Sequence, residues 1–156
     1  MQLTSLLSPE TIRVGLPGSE KDEVIGAAVD LLAGDARVLD LEEVRKVVFE
    51  RESQMSTGVG KGLGLPHGKT PSMTASVGAL CVTAGPVEFM AFDGDPVRIV
   101  FLLVGPPDAQ SIHIRTLSRI SRIMNNDHLR QRILDAESPH VVFEIIAEAE
   151  KAILEG

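Results

Sequence analysis

Val97-Arg98-Ile99-Val100-Phe101-Leu102-Leu103-Val104 is the stretch that most restricts what this chain can become. It is apolar almost without interruption. Asp93-Gly94-Asp95-Pro96 precedes it and Gly105-Pro106-Pro107-Asp108 breaks it. A strand without polar alternation has no face to offer water, so it reads as a central strand covered on both faces. Helix-like and strand-like patterns alternate along the rest of the chain, which implies an α/β domain. The expected fold is a single domain over residues 1–156, a mixed β-sheet flanked by helices.

The helical segments carry their own boundaries. Ser19 to Ala33 has Ser19 as a cap, acidic residues in its first turn and Gly34 past its end. Asp40 to about Gln54 opens on Asp40 with Glu43, which resembles a capping box, and its apolar stripe is Leu41, Val44, Val48. After Asp108 a long helix runs to about Asn125. Asp127 to Ala136 and Ser138 to Leu154 follow, with Asp127 and Ser138 as caps and Pro139 at a first helical position. Leu63 to Leu65 reads as a short strand. Ser76 to Thr83 is a longer one, with Val77, Ala79, Cys81 on one face and Leu80, Val82 on the other. Val87 to Phe92 and Val97 to Val104 flank Asp93-Gly94, so they are expected to form an antiparallel hairpin.

Composition excludes several classes of function. The net charge is −7, and non-specific nucleic-acid binding needs basic surface. Trp and Tyr are both absent, which leaves few platforms for base stacking. No apolar run reaches the roughly 18 to 20 residues that span a membrane, and the N-terminus does not read as a signal peptide. Cys81 is the one cysteine, so no internal disulfide forms and a cytoplasmic setting fits. An acidic chain can still be steered toward a basic protein partner.

Chemistry concentrates in Thr57-Gly58-Val59-Gly60-Lys61-Gly62-Leu63-Gly64-Leu65-Pro66-His67-Gly68-Lys69. Glycines let backbone approach a ligand, and clustered N–H groups can cradle an anion. Imidazole is a nucleophile and proton carrier near neutral pH. His67 is therefore the first candidate, with Gly58, Gly60, Gly68 and Lys69 in support; the alternative is a turn histidine in a glycine-rich loop. His113 is the second. It starts the stripe His113, Leu117, Ile120, Met124 just after the central strand, where ligands of α/β sheets tend to bind. There a helix N-terminus attracts anions and keeps an imidazole neutral. The alternative is a core histidine bonded to backbone. Arg51 is the third candidate. It stands seven residues after Val44, as an inward-tilting partner for a carboxylate or phosphate or as a helix-end cation.

The remaining features read as structure: Arg115, Arg119 and Arg122 as a solvated basic face, His128 and His140 as surface, Cys81 as core. The glycines do not match a dinucleotide fingerprint or a nucleoside-triphosphate loop. No zinc spacing and no Gly-x-Ser-x-Gly elbow is present. No cofactor and no metal are implied.

Residues Ser56 to Lys69 resemble the phosphohistidine motif of the EIIA components of the bacterial phosphoenolpyruvate-dependent sugar phosphotransferase system. The branch is the fructose/mannitol type, which includes the nitrogen-regulatory EIIA proteins. The likeness runs from about Leu6 to Ala149. It includes Phe49-Glu50-Arg51-Glu52, Pro86-Val87-Glu88-Phe89, Phe92-Asp93-Gly94, Val97 to Val104, and Asp108 to Ser118. The resemblance implies that His67 accepts a phosphoryl group from the phosphohistidine of HPr, on the ring nitrogen distal to the main chain. It implies that His113 supports the phosphate and that Arg51 lies near the site. Lys61, where relatives often have Asn, and Ile114, where many have Leu, are departures. The partners implied are HPr with an EIIB domain, or with regulated proteins such as kinases or transporters. The chain shows no EIIB and no membrane segment, and Ser56-Thr57-Gly58 and Thr116-Leu117-Ser118 look similar to the nitrogen-regulatory branch. That branch is the favoured expectation, against a stand-alone fructose/mannitol-type EIIA or an interaction module that is not phosphorylated.

Overall fold

The apolar run of the sequence forms the middle of the sheet. In the computed structural model, which describes residues 2–155, the chain runs α1 (Leu3–Leu6), a 3-10 turn (Pro9–Thr11), β1 (Ile12–Leu16), α2 (Lys21–Asp30), α3 (Leu41–Gln54), β2 (Gly58–Gly60), β3 (Leu63–Gly64), β4 (His67–Lys69), β5 (Val77–Val87), β6 (Val97–Gly105), α4 (Gln110–Met124), α5 (Asp127–Asp135) and α6 (Pro139–Glu155). The strand order is β1-β5-β6-β3-β2, and β4 also pairs with β6. β1 is parallel to β5, β5 antiparallel to β6, and β3 and β4 both parallel to β6. The sheet is therefore mixed.

Alternation along β6 separates two cores. Ile99, Phe101 and Leu103 join Leu6, Ile120, Ile133, Val142 and Ile145, beneath α1, α4, α5 and α6. Val100, Leu102 and Val104 join Val24, Ala28, Val44 and Val48, beneath α2 and α3. Each fully buried side chain of this size stabilises by about 1.5–3 kcal/mol relative to exposure. The two faces of β5 divide as expected: Val77, Ala79 and Cys81 in the α2/α3 core, Leu80 and Val82 in the other.

The element boundaries differ from expectation, and three of the differences bear on the site or the caps. α2 starts at Lys21 instead of Ser19, and the cap is Glu20, whose N–H donates to Glu23 Oε1 at 3.3 Å. α5 is capped by Asn126, whose side chain accepts the Leu129 N–H at 3.0 Å, so the cap stands one residue before Asp127. The third difference is larger. Val87 to Phe92 is not the partner strand of Val97 to Val104. β5 itself continues to Val87, opposite Val97, with a register shift after Val82. The chain then leaves the sheet because Phe89 turns fully into the α2/α3 core. Met90 takes φ 56, a left-handed conformation that interrupts a regular strand of non-glycine residues. Asp93-Gly94 does turn the chain, with Gly94 at φ 78 and its N–H donating to Ala91 O at 3.0 Å. The turn belongs to the 88–96 loop rather than to a two-residue hairpin.

The caps of α3 and α6 agree with the sequence. Asp40 accepts the N–H groups of Glu42 and Glu43 at 3.1 and 3.3 Å, and Ser138 Oγ accepts that of Val141 at 3.3 Å.

Candidate functional site

The glycine-rich segment folds into the β2–β3 hairpin. Gly60 pairs with Leu63 across Lys61-Gly62, at φ 58 and 78. Two positive φ values make a type I′ turn, whose twist suits adjoining strands. The departure at Lys61 falls on this left-handed position, where Asn is the readier residue. Gly58 and Gly64 are required for close approach. A Cβ on Gly64 would lie 2.8 Å from Phe89 Cε2, and one on Gly58 would lie 2.9 Å from Ala91 Cβ. The hairpin thus lies directly on the 88–96 loop.

Three N–H groups of this segment are already engaged. Gly58 N–H donates to Ser56 Oγ at 3.0 Å, Lys61 N–H to Asp93 Oδ2 at 3.0 Å, and Leu65 N–H to Thr57 O at 3.0 Å. Gly58 and Gly60 do not line the cleft around His67. In this structure these two glycines serve the turn and the packing, and they stand apart from the cleft. Behind them Glu52, 3% exposed at its side chain, accepts the Thr57 N–H at 2.8 Å and bonds the Thr57 hydroxyl, with Lys21 Nζ at 3.2 Å. Sequence reasoning passed over Glu52. The spacing 44, 48, 52 carries the buried stripe of α3 to it, one residue beyond Arg51.

Leu65-Pro66 carries the chain from β3 to β4 along the same edge of β6. Pro66 has no N–H, but its carbonyl accepts from Leu103 N–H at 3.0 Å. His67 follows, in register with Leu103. Its Nδ1 lies 2.8 Å from Leu65 O. A carbonyl only accepts, so Nδ1 carries the proton and Nε2, distal to the main chain, carries the lone pair. Gly68 lets α3 sit on β4, since a Cβ there would be 3.1 Å from Val47 Cγ2.

α3 and α4 belong to opposite helical layers, and over the short β4 they wall an open cleft of about 510 Å³. Val47, Glu50, Arg51 and Gln54 come from α3, Gln110, His113, Ile114 and Leu117 from α4, and His67, Gly68 and Lys69 from the strand between. The three candidates His67, His113 and Arg51 are thus brought into one cleft, with Lys69. Arg51 Nη1 also donates to Met55 O at 3.2 Å, so it tends its helix end while lining the cleft. His113 is 5% exposed. Its pKa is pushed down to about 4, first by burial and then by the neighbouring His67 and Lys69. Burial is the leading cause, where the sequence pointed to the helix start. Its Nε2 is sealed from solvent without a hydrogen-bond partner, as is Ser76 Oγ. Nothing in the sequence marks Ser76, which begins the approach to β5.

Other residues fall outside the cleft. Cys81 is fully buried, and burial pushes its thiol up to about 12. His128 and His140 are exposed. Arg115 and Arg122 are exposed, but Arg119 bonds the buried Glu150 at 3.1 Å, a carboxylate that also accepts Leu3 N–H at 2.6 Å. The expected solvated face therefore includes one structural arginine. Among the described residues no group of three or more His, Cys, Asp or Glu could hold a metal ion. No described helix is long and apolar enough to cross a membrane.

Residues 5–149 match the family model described as "Phosphoenolpyruvate-dependent sugar phosphotransferase system, EIIA 2". The chain is 32% identical to the fructose-specific EIIA component of Haloferax volcanii, over 92% of this chain and 94% of that protein. It is 30% identical to the nitrogen regulatory protein of Bradyrhizobium diazoefficiens, over 94% and 95%. It spans 24% of the fructose-specific EIIABC component of Bacillus subtilis, at 32% identity. The crystal structure of nitrogen regulatory protein IIA-Ntr from Neisseria meningitidis superposes with a TM-score of 0.86 at 28% identity, covering 92% of this chain and 98% of that one. The strand carrying His67, the cleft over it and the match along nearly the whole chain lead to one assignment: the chain belongs to the EIIA type 2 family of the phosphoenolpyruvate-dependent sugar phosphotransferase system.

Proposed function

We propose that the chain carries a phosphoryl group on Nε2 of His67, taken in the cytoplasm from the phosphohistidine of an HPr-type carrier. The observation that carries this reading is the hydrogen bond from Nδ1 to Leu65 O at 2.8 Å. It leaves the distal nitrogen as the nucleophile, in a cleft shared with Arg51, Lys69 and His113. In the transfer the donor's P–N bond breaks as the bond from Nε2 to phosphorus forms. The donor imidazole keeps the electron pair, and His67 becomes cationic, its Nδ1–H held by Leu65 O. Both nitrogens are imidazoles of similar basicity, so the exchange is nearly balanced. Catalysis then consists of alignment and charge neutralisation. Arg51 and Lys69 offset the phosphoryl charge. His113, neutral at pH 7, donates one N–H to a phosphoryl oxygen. Gly68 lets α3, which carries Arg51, pack close against the strand that carries His67.

The phosphoryl group goes on to an EIIB domain, or its presence on His67 sets the binding of regulated proteins such as kinases or transporters. We favour the nitrogen-regulatory role, which the fold match to IIA-Ntr supports. The 32% identity to a fructose-specific EIIA of similar length keeps sugar uptake as the second reading.

The test is incubation with phosphoenolpyruvate, Enzyme I and HPr, followed by intact mass. One added phosphoryl group, absent in His67→Ala, is expected. No label under conditions that label a known EIIA overturns the proposal. Onward transfer to a fructose-type EIIB then separates uptake from regulation.

A further inference from the structure

Two side-chain atoms among the described residues are sealed from solvent without a hydrogen-bond partner, Ser76 Oγ and His113 Nε2. Orphaned buried polar atoms are rare in a folded protein. These two are also neighbours. A Cβ built on Gly105 would stand 2.6 Å from each, so no more than twice that distance separates them. The fold makes the meeting. Ser76 lies one residue before the Val77↔Val104 pair of the β5–β6 ladder, Gly105 ends β6, and His113 lies in the first turns of α4. Any residue but glycine at 105 would fill the space between them.

We infer that Ser76 positions His113: the two atoms face one space without being bonded in the structure, and a small approach of the serine hydroxyl lets it donate to Nε2, so the ring keeps its proton on Nδ1, the nitrogen left for the cleft. A serine hydroxyl both donates and accepts, and a neutral imidazole presents one of each. The cleft decides the direction. It holds Arg51 and Lys69 and takes an anion, so the useful group of His113 on that side is an N–H. Were Nε2 protonated instead, Nδ1 would turn a lone pair toward phosphoryl oxygens and repel them. Ser76 is thus a positioning residue that acts through His113 and touches no substrate. This inference rests on the carrier reading of His67.

Two measurements test it. Long-range 1H–15N spectra of unphosphorylated protein report the tautomer of each histidine. His113 is expected as the Nδ1–H form in the native chain, with the Nε2–H form appearing in Ser76→Ala. Transfer from phosphorylated HPr is then followed at saturating and limiting donor. Ser76→Ala is expected to lower the saturated rate about fivefold, the worth of one neutral hydrogen bond, with KM unchanged. Ser76→Thr, which retains the hydroxyl, restores both. An Nε2–H tautomer in the native chain overturns the inference, and this spectrum decides the matter even where Ser76→Ala fails to fold. An unchanged tautomer in Ser76→Ala overturns it too, as does a shifted tautomer with an unchanged rate. If His67 takes no label at all, the carrier reading falls, while the tautomer still reports on the Ser76 contact.

Discussion

Replacing Gly64 with Ala tests why the glycine-rich segment contains glycine. Gly64 is not among the glycines at positive φ, so alanine meets no backbone penalty there. The cost is contact. The new Cβ would lie 2.8, 3.2 and 3.3 Å from three atoms of the Phe89 ring, against about 3.5–4.0 Å for relaxed carbon pairs. Phe89 is fully buried beneath α2 and α3, so the ring cannot swing aside. Overpacking of this kind destabilises by about 1–3 kcal/mol. For a chain of this size that lowers Tm by about 2–4 °C per kcal/mol. The assay is a double-mutant cycle by urea unfolding, with Gly64→Ala made alone and in Phe89→Leu. The smaller side chain opens the space that the methyl needs, so the alanine penalty should fall to about 0.5 kcal/mol or less in that background, a coupling of about 1–2 kcal/mol. An equal penalty in both backgrounds refutes the reasoning. The cost would then come from the strand conformation rather than from the ring.

Two further outcomes follow from buried titrating groups. His113 has a pKa lowered to about 4 in the fold, below the roughly 6.5 of an unfolded chain. Between these values the unfolded chain binds the extra proton, so stability rises with pH through that window and is lost as pH falls from 6.5 toward 4. The loss is on the order of 2 kcal/mol, and urea unfolding at pH 7 and pH 4.5 should show this component disappear in His113→Asn. Cys81, with its thiol pushed up to about 12, should resist an aromatic disulfide reagent at pH 8 until denaturant is added; fast labelling of the native protein would contradict its placement in the core.

The legible parts of the fold were those in which local chemistry and tertiary demand agree. Val97 to Val104 lacks alternation because helices cover both of its faces, and Asp40 caps α3 because its carboxylate meets two free N–H groups. Val87 to Phe92 misled because aromatic and β-branched residues there suit a strand equally well, while Phe89 is used to plug the α2/α3 core. The glycine segment was read as a cradle because sequence counts N–H groups without showing their partners; Ser56, Asp93 and Thr57 hold them. A Lys-Gly turn also hid the hairpin, since lysine is a poor sign of a left-handed residue. At the site, helical spacing brought His113 and Arg51 within reach of His67, because α3 and α4 flank the same strand. Ser76 stayed invisible, since its significance depends on a glycine 29 positions later in the chain losing its Cβ to make room.

β4 has a consequence for traffic. His67 is carried on a strand laid along β6, with its ring tied to Leu65 O, and α3 and α4 stand as walls on either side. A histidine held this way does not travel between stations. Under the proposed function, whatever loads it and whatever unloads it must come down the same approach, one after the other. Donor and recipient would then exclude each other, and the chain would shuttle between two covalent forms without a ternary complex. That is a ping-pong scheme, in which an abundant unphosphorylated recipient slows the loading of the carrier that feeds it.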